Sequence, residues 1–476
     1  MTSDTVSDER IERFKKYLDR SKLDHKQYQY EGLRWILNNE LRKDPVCSIR
    51  GGFIADEMGL GKTIMMIGTM LCNFVAKTLI VVPPVLIDQW YIQIYRTTGH
   101  KALIYHGENK KQITLEQLDK SNVVITTYGA ITLTKKHMKD KALTLLHHIS
   151  WSRVIFDEAH HLRNSKTTQY MGAKMLSAKI RWLVSGTPIQ NSKKDFYSLC
   201  SLIRLPSSFY TESDNLRILA RAFILKRTKK QVGILMTDVV IDKNMVDWQN
   251  IKEMELSNKI HSSLCFNRGK NIINNSIKGA GLLLMLRAKQ SCIYPKLMMK
   301  SLNPALKSAY NDAFEHTSKL DSVVNKILER KGNDCGKLIF CHFREEIDEI
   351  ASRLRAGGMT KVVTFDGRTS AGKRHEVLND KNEALILQIQ TGCEGLNLQE
   401  NYSEIYFISP HWNPAVEDQA IARCHRIGQT KNVYVERFEM NTFAVTEEQE
   451  IGNTTMDKYV GIIQENKRII ASEIIE

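Results

Sequence analysis

Twice along this 476-residue chain, short β-rich apolar runs alternate with longer amphipathic stretches. The first series is Thr78–Val82, Val123–Thr127, Val154–Phe156 and Trp182–Val184; the second is Lys337–Cys341, Val362–Phe365, Ala384–Ile389, Ile405–Ile408 and Asn432–Phe438. A strand written as a continuous apolar run is buried on both faces, and its parallel neighbour is reached through a helical crossover. Each series therefore predicts βαβ units around a parallel sheet. Between Ser192 and Leu302 the strand signals fade; Leu199–Leu205, Ile218–Lys226 and Gly281–Gln290 read as helical, with a basic run at Lys226–Lys230. The expected fold class is α/β, two parallel-sheet lobes with a helical insertion between them. The expected division is a lead-in at 1–22, lobe one at 23–200, the insertion at 201–301, lobe two at 302–445 and a helical tail at 446–476.

Composition narrows the class of partner. Net charge is +15, a surplus that favours a polyanion, either nucleic acid or an acidic membrane surface. The most apolar stretch, Thr63 to Ile87, is broken by Asn73, Lys77, Pro83 and Pro84, so it predicts a buried helix and a buried strand, not a membrane span. Met1 to Lys16 carries Asp4, Asp8, Glu9 and Glu12 and no apolar core, which argues against a signal peptide. No two of the nine cysteines are spaced C-x-x-C, so no zinc finger or RING site is expected, and scattered thiols fit a reducing, intracellular setting.

Two elements carry chemistry. Ala55-Asp-Glu-Met-Gly59-Leu-Gly61-Lys62-Thr63 follows a short apolar stretch and precedes a helix. Gly59 and Gly61 permit a tight loop whose N–H groups point at phosphate oxygens, and the helix N-terminus adds a favourable dipole. Lys62 can reach the β- and γ-phosphates and Thr63 can ligate Mg²⁺. The general phosphate-loop pattern asks for Gly where this chain has Asp56. The second element, Val154-Ile-Phe-Asp157-Glu158-Ala-His160, ends an apolar strand in adjacent carboxylates. Asp157 suits Mg²⁺, and Glu158 suits the base that orients and deprotonates an attacking water. The two lie about 95 residues apart, each at the end of an expected strand, and together they point to ATP hydrolysis. Much later, Arg423 and Arg426 stand three apart, one face of a helix if that segment is helical. On spacing alone they read as solvated arginines.

The motifs in order resemble those of the SWI/SNF-type ATPases of helicase superfamily 2. Tyr28–Trp35 resembles the family's Q motif, and Asp56–Thr63 its first motif, Asp included. Val81–Trp90 resembles motif Ia, Ile125–Tyr128 motif Ib, Asp157–Asn164 motif II (the DEAH box) and Ser185–Asn191 motif III. Leu283–Pro295 is similar to a leucine- and arginine-rich helix ending in Cys-x-x-Pro, and Lys319-Leu320 to the lead-in to lobe two. Phe340–Phe343 looks like motif IV, with Phe365–Gly367 following; Gly395–Leu398 looks like motif V and Trp412–Gln429 like motif VI. The resemblance covers roughly residues 20–440 and implies two RecA-like lobes.

It also implies roles. Gln29 would read adenine, and Asp56, Gly59, Gly61, Lys62, Thr63, Gln190 and Gly395 would line the nucleotide site with ATP and Mg²⁺ as its contents. Pro83, Pro84, Thr126 and Thr127 would meet the DNA backbone from lobe one, and Asn397 and Trp412 from lobe two. Arg423 and Arg426 become arginine fingers, while Thr187 and Gln190 couple the pocket to lobe closure. The implied partner is double-stranded DNA, with nucleosomes or DNA-bound transcription or repair proteins as cargo, at a nuclear or viral replication or transcription site. The chain departs from the family at Gln390–Cys393, where a basic residue and paired small residues are commoner, and at Ser185, commonly Thr. No bromo-, chromo-, SANT-like or RING segment is found, and compact forms of this kind resemble those of large DNA viruses. Two rivals stay open: a nucleic-acid-unwinding helicase, since DEAH is shared with RNA helicases, and a non-enzymatic scaffold on a degenerate motor fold.

Overall fold

The computed structural model describes residues 8–134, 143–187, 192–262, 264, 280–369, 377, 380–392, 396–443 and 454–475. The chain forms two compact units, Met1–Leu235 with Ile469–Glu476, and Met236–Arg468. Each is built on one parallel sheet.

In the first unit the strands are β1 (Arg50–Ile54), β2 (Thr78–Val82), β3 (Leu103–Tyr105), β4 (Val123–Thr127), β5 (Ser150–Asp157), β6 (Ser177–Val184) and β7 (Ile224–Leu225), in the order β3-β4-β2-β5-β6-β1-β7. Successive side chains on a strand point to opposite faces. Leu79, Val81, Val124, Val154 and Phe156 accordingly enter one core, and Ile80, Val82, Ile125 and Ile155 the other. Both faces are covered, which is why these strands read as unbroken apolar runs. The lead-in is part of this unit: helix Asp8–Arg20 buries Ile11, Phe14, Tyr17 and Leu18 at helical spacing. Phe14 lies so close to Gly68 that a Cβ there would meet its ring at 2.4 Å.

The second unit holds β8 (Val239–Val246), β9 (Gly336–Cys341), β10 (Val362–Phe365), β11 (Ala384–Gln388), β12 (Tyr402–Phe407) and β13 (Val433–Met440), ordered β10-β11-β9-β12-β13-β8. Leu338 and Phe340 face one core, Ile339 and Cys341 the other.

The stretch read as a helical insertion differs from that expectation. Helices do occupy Lys193–Leu202, Ser213–Phe223, Ile251–His261 and Ala280–Ile293. Yet β7 joins the first sheet beside β1, and β8 pairs with β13 along its whole length, from Val239↔Val433 to Val246↔Met440. The reason is position. β8 is an edge strand, largely exposed, with Asp242, Lys243 and Asn244 in its middle, so it lacks an apolar run. β3 and β7 have three and two residues, too few to carry a pattern. Among the described residues no helix is long and apolar enough to cross a membrane.

Candidate functional site

Register brings three loops of the first unit level with one another. Val184 at the end of β6 pairs with Ile54 of β1 and with Asp157 of β5. The segments that follow, Ala55–Gly61, Ser185–Thr187 and Glu158–His160, therefore leave the same carboxyl end of the sheet side by side. That is where open α/β sheets take ligands.

After β1 the chain turns through Gly59 (φ 95°) and Gly61 (φ 80°), and helix Lys62–Cys72 begins directly beyond. Left-handed φ at both positions suits glycine. Lys62 Nζ donates to the carbonyls of Asp56 (2.9 Å) and Glu57 (3.4 Å), so the ammonium is held over the loop. The Ser185–Thr187 turn borders it: a Cβ on Gly186 would sit 3.4 Å from Lys62 Nζ. Thr63 is the second residue of the helix and half-buried. The Gln29 amide lies on the loop, 3.5 Å from the Leu60 carbonyl, and a Cβ on Gly61 would meet its Nε2 at 2.5 Å.

Asp157 is buried at the tip of β5. Its Oδ2 accepts from the Trp90 indole N–H at 2.7 Å and its Oδ1 from the Glu158 amide at 3.0 Å. Burial first, and then the neighbouring Glu158 charge, push the Asp157 carboxyl up to about 7. A carboxylate so placed gains from a cation, and a carboxylate and a hydroxyl such as that of Thr63 are both hard oxygen donors. These residues fit Mg²⁺. Glu158 sits in left-handed backbone (φ 50°, ψ 49°), and its Oε2 is 3.3 Å from His160 Nδ1. His160 also meets Ser185 Oγ at 3.3 Å, which accepts from the Thr187 amide. The DEAH segment is thus tied to the Ser185–Thr187 turn by side chains.

The other residues expected at the site are placed as follows. Asp56 is fully buried, and both its carboxylate oxygens are gripped by Arg227, Nε at 3.1 Å and Nη2 at 2.6 Å; it anchors the loop and is not turned to a phosphate, which its charge would repel. Thr126 gives its hydroxyl to the Tyr105 carbonyl (2.8 Å), and the Thr127 hydroxyl pairs with His106 (3.3 Å); both residues are buried, so neither hydroxyl is presented at the surface. In the Pro83–Pro84 loop, Pro83 is buried, and Pro84 and Val85 are exposed. Gln190 and Gly395 lie outside the described residues.

In the second unit, Arg423 and Arg426 are not on a helix. Helix Pro414–Ile421 ends at Ala422, and both arginines occupy the turns beyond it. Arg423 is buried and its carbonyl accepts from the Leu398 amide at 3.1 Å. Arg426 Nη1 donates to Asn397 Oδ1, joining two residues singled out separately in the sequence. Burial, then the Arg423 charge, lower the Arg426 guanidinium below its ordinary value. Trp412 is half-buried, its ring 6.1 Å from Tyr459 and 5.9 Å from Lys467 Nζ. Lys467 also donates to its carbonyl at 2.6 Å.

Two family models match: the SNF2-related domain over residues 28–297 and the helicase conserved C-terminal domain over residues 318–428. The chain is 26% identical to a probable global transactivator of Orgyia pseudotsugata multicapsid polyhedrosis virus, covering 94% of this chain and 91% of the relative. It is 28% identical to the Arabidopsis thaliana chromatin structure-remodeling complex protein SYD over 87% of its own length but only 12% of the relative's. It is 25% identical to the Arabidopsis ATP-dependent DNA helicase DDM1 over 87% of its own length and 58% of the relative's. A solved Sulfolobus solfataricus SWI2/SNF2 ATPase core in complex with dsDNA covers 95% of the chain and 94% of its own, at 22% identity and a TM-score of 0.40. With more than half of its residues matched by the first family model, the chain belongs to the SNF2-related family and is an ATPase of that family.

Proposed function

We propose that the protein is a translocase on double-stranded DNA, hydrolysing ATP to move along the duplex and to remodel or displace protein bound there. One observation supports this most: the indole bond from Trp90 to Asp157. Trp90 lies on helix Ile87–Thr98, which starts behind exposed Pro84 and Val85. The loop assigned to DNA and the carboxylate assigned to the nucleotide's metal are therefore joined through one short helix and one hydrogen bond. Because the Thr126 and Thr127 hydroxyls are engaged inside the unit, the proposal puts the lobe-one DNA contact at the exposed Pro84 end of that loop.

In this reading Lys62 and the loop amides hold the β- and γ-phosphates, and Gln29 meets the adenine. Thr63 and Asp157 hold Mg²⁺, which when bound neutralises phosphate charge. Glu158 takes a proton from water as its oxygen bonds to the γ-phosphorus and the bond to the β-phosphate oxygen breaks, leaving ADP and phosphate. Arg423 and Arg426 supply positive charge to that transfer, and Asn397 and Trp412 contribute to holding DNA. The names of relatives support a cargo among chromatin or transcription complexes, in a nucleus or at a viral replication or transcription site.

The test is ATP turnover with no nucleic acid, duplex DNA, single strands or RNA, followed by displacement of a triplex-forming strand. Turnover stimulated by duplex, with the third strand released and the duplex left paired, is the expected result. Turnover indifferent to duplex sinks the reading. Unwinding of a blunt duplex favours a strand-separating helicase instead, the activity printed in the name of one relative.

A further inference from the structure

The segment Ile224–Lys229 belongs to none of the motifs assigned above, yet it is fastened along the phosphate loop. β7 pairs with β1, and the pairing runs on past both strands: the Ala55 amide donates to the Leu225 carbonyl (2.7 Å) and the Glu57 amide to the Arg227 carbonyl (2.9 Å). The Lys229 amide donates to Glu57 Oε2 (2.8 Å), and Lys229 Nζ lies 3.2 Å from Glu57 Oε1. Between these rungs Arg227 reaches across. Its Nε and Nη2 hold the two Asp56 oxygens, Nη1 donates to the Tyr28 carbonyl, and the guanidinium lies 5.7 Å from the Tyr28 ring centre. Tyr28 precedes Gln29 on helix Gln27–Leu41, so one side chain links the phosphate loop to the helix that carries Gln29.

That helix makes room for it. Gly32 lies in its interior, where glycine is a poor helix former. A Cβ there would meet Arg227 Nη2 at 2.6 Å and Met65 Sδ at 2.7 Å. The glycine is needed where the guanidinium passes. A planar fork that satisfies a carboxylate at two points and a carbonyl at a third fixes both distance and orientation, which a lysine ammonium cannot do.

We propose that Arg227 is the positioning residue for ATP, locking the phosphate loop and the Gln29 helix in one register so that phosphate and base are recognised together. It governs nucleotide affinity and the preference for adenine over guanine, and it leaves the bond-breaking step alone. The proposal rests on the reading of Gln29 as the residue that meets adenine.

The experiment titrates fluorescent ATP and GTP analogues against the full chain, wild type, Arg227→Lys and Gly32→Ala, with melting temperature and steady-state turnover alongside. Arg227→Lys should weaken ATP binding about tenfold, the scale of a lost charge-assisted fork. GTP binding and kcat at saturating ATP should stay within about twofold. Gly32→Ala, whose methyl would push the guanidinium off its partners, should shift ATP binding the same way; measured well below its own melting temperature, it carries the test if Arg227→Lys folds poorly. Wild-type ATP affinity in both variants, or equal losses for ATP and GTP, overturns the proposal. A wild type that does not prefer ATP to GTP overturns the Gln29 reading, a different failure.

Discussion

The glycine loop after β1 in the first unit and the arginine turn of the second both gather charge, and they are held in different ways. Around the loop, charged side chains are matched in place: Asp56 by Arg227, Glu57 by Lys229, with Lys62 donating to two carbonyls. In the turn, two arginines lie near enough that one depresses the other, and Arg426 is hydrogen-bonded to an amide, not to a carboxylate. A loop already neutralised and fixed can receive ATP with little rearrangement, so affinity should be set there. A turn with like charges under burial gains most when negative charge develops beside it, so its contribution should appear in the rate.

The largest effects test whether the loop end of this comparison holds the chemistry at all. Lys62→Ala and Glu158→Gln should each cut turnover by at least about 10³-fold, with Glu158→Gln still binding ATP, since it removes a proton acceptor and no phosphate contact. Turnover near wild type in either variant, measured with saturating duplex DNA, breaks the assignment of the pocket. Next come the arginines. Arg423→Ala or Arg426→Ala should lower kcat on the order of 10³-fold while ATP affinity changes less than about threefold, the pattern of an interaction made chiefly in the transition state. If single-turnover rates hold and affinity collapses instead, the two regions do not divide the work as argued. The intermediate effect is the tenfold affinity loss at Arg227, which sharpens the comparison from the loop side.

Legibility in the sequence followed burial. Nine strands were written as apolar or β-rich runs because both faces of each sheet are covered, and Val362–Phe365 and Thr78–Val82 appear at the expected bounds. β8 was missed because an edge strand can carry Asp242, Lys243 and Asn244 on its exposed side. The residues gathered at the carboxyl end of the first sheet were legible as a group because glycines, a lysine and paired carboxylates sit at fixed local offsets. Arg227 was not. Its partner Asp56 is 171 residues away, and nothing in Leu225–Lys230 separates the gripping arginine from its basic neighbours. Likewise, spacing put Arg423 and Arg426 on one helical face, whereas Pro414–Ile421 stops short of both and only the tertiary bond to Asn397 shows what holds the second.

The last expected effect is on stability, not turnover, and asks whether the two units also differ in acid. In the first unit, His147 is the described histidine held below its ordinary pKa. In the second, burial lowers His261 and His411 each to about 4, and His342 well below its ordinary value. His261 shows why protonation is resisted: its Nδ1–H donates to the Ser257 carbonyl (2.8 Å), and its Nε2 accepts the Met456 amide (3.0 Å), so a second proton would break the bond that starts helix Met456–Ile475. A lowered folded-state pKa means the unfolded chain takes up the proton first. The contribution of His261 is complete above about pH 6.5 and is lost as pH falls toward 4, at most about 3 kcal/mol. Glu346, raised by burial to about 7, works in the opposite sense between about pH 7 and 4.5, so the raw acid profile mixes the two. A difference isolates the histidine. His261→Gln should be less stable than wild type at pH 7, by about 1–2 kcal/mol for the lost bonds, yet lose less on going to pH 5. Denaturant unfolding followed by hydrogen exchange in residues 239–262 measures this. Wild-type and variant curves that fall in parallel would show that the Met456 bond survives protonation and that the units do not differ in acid through this residue.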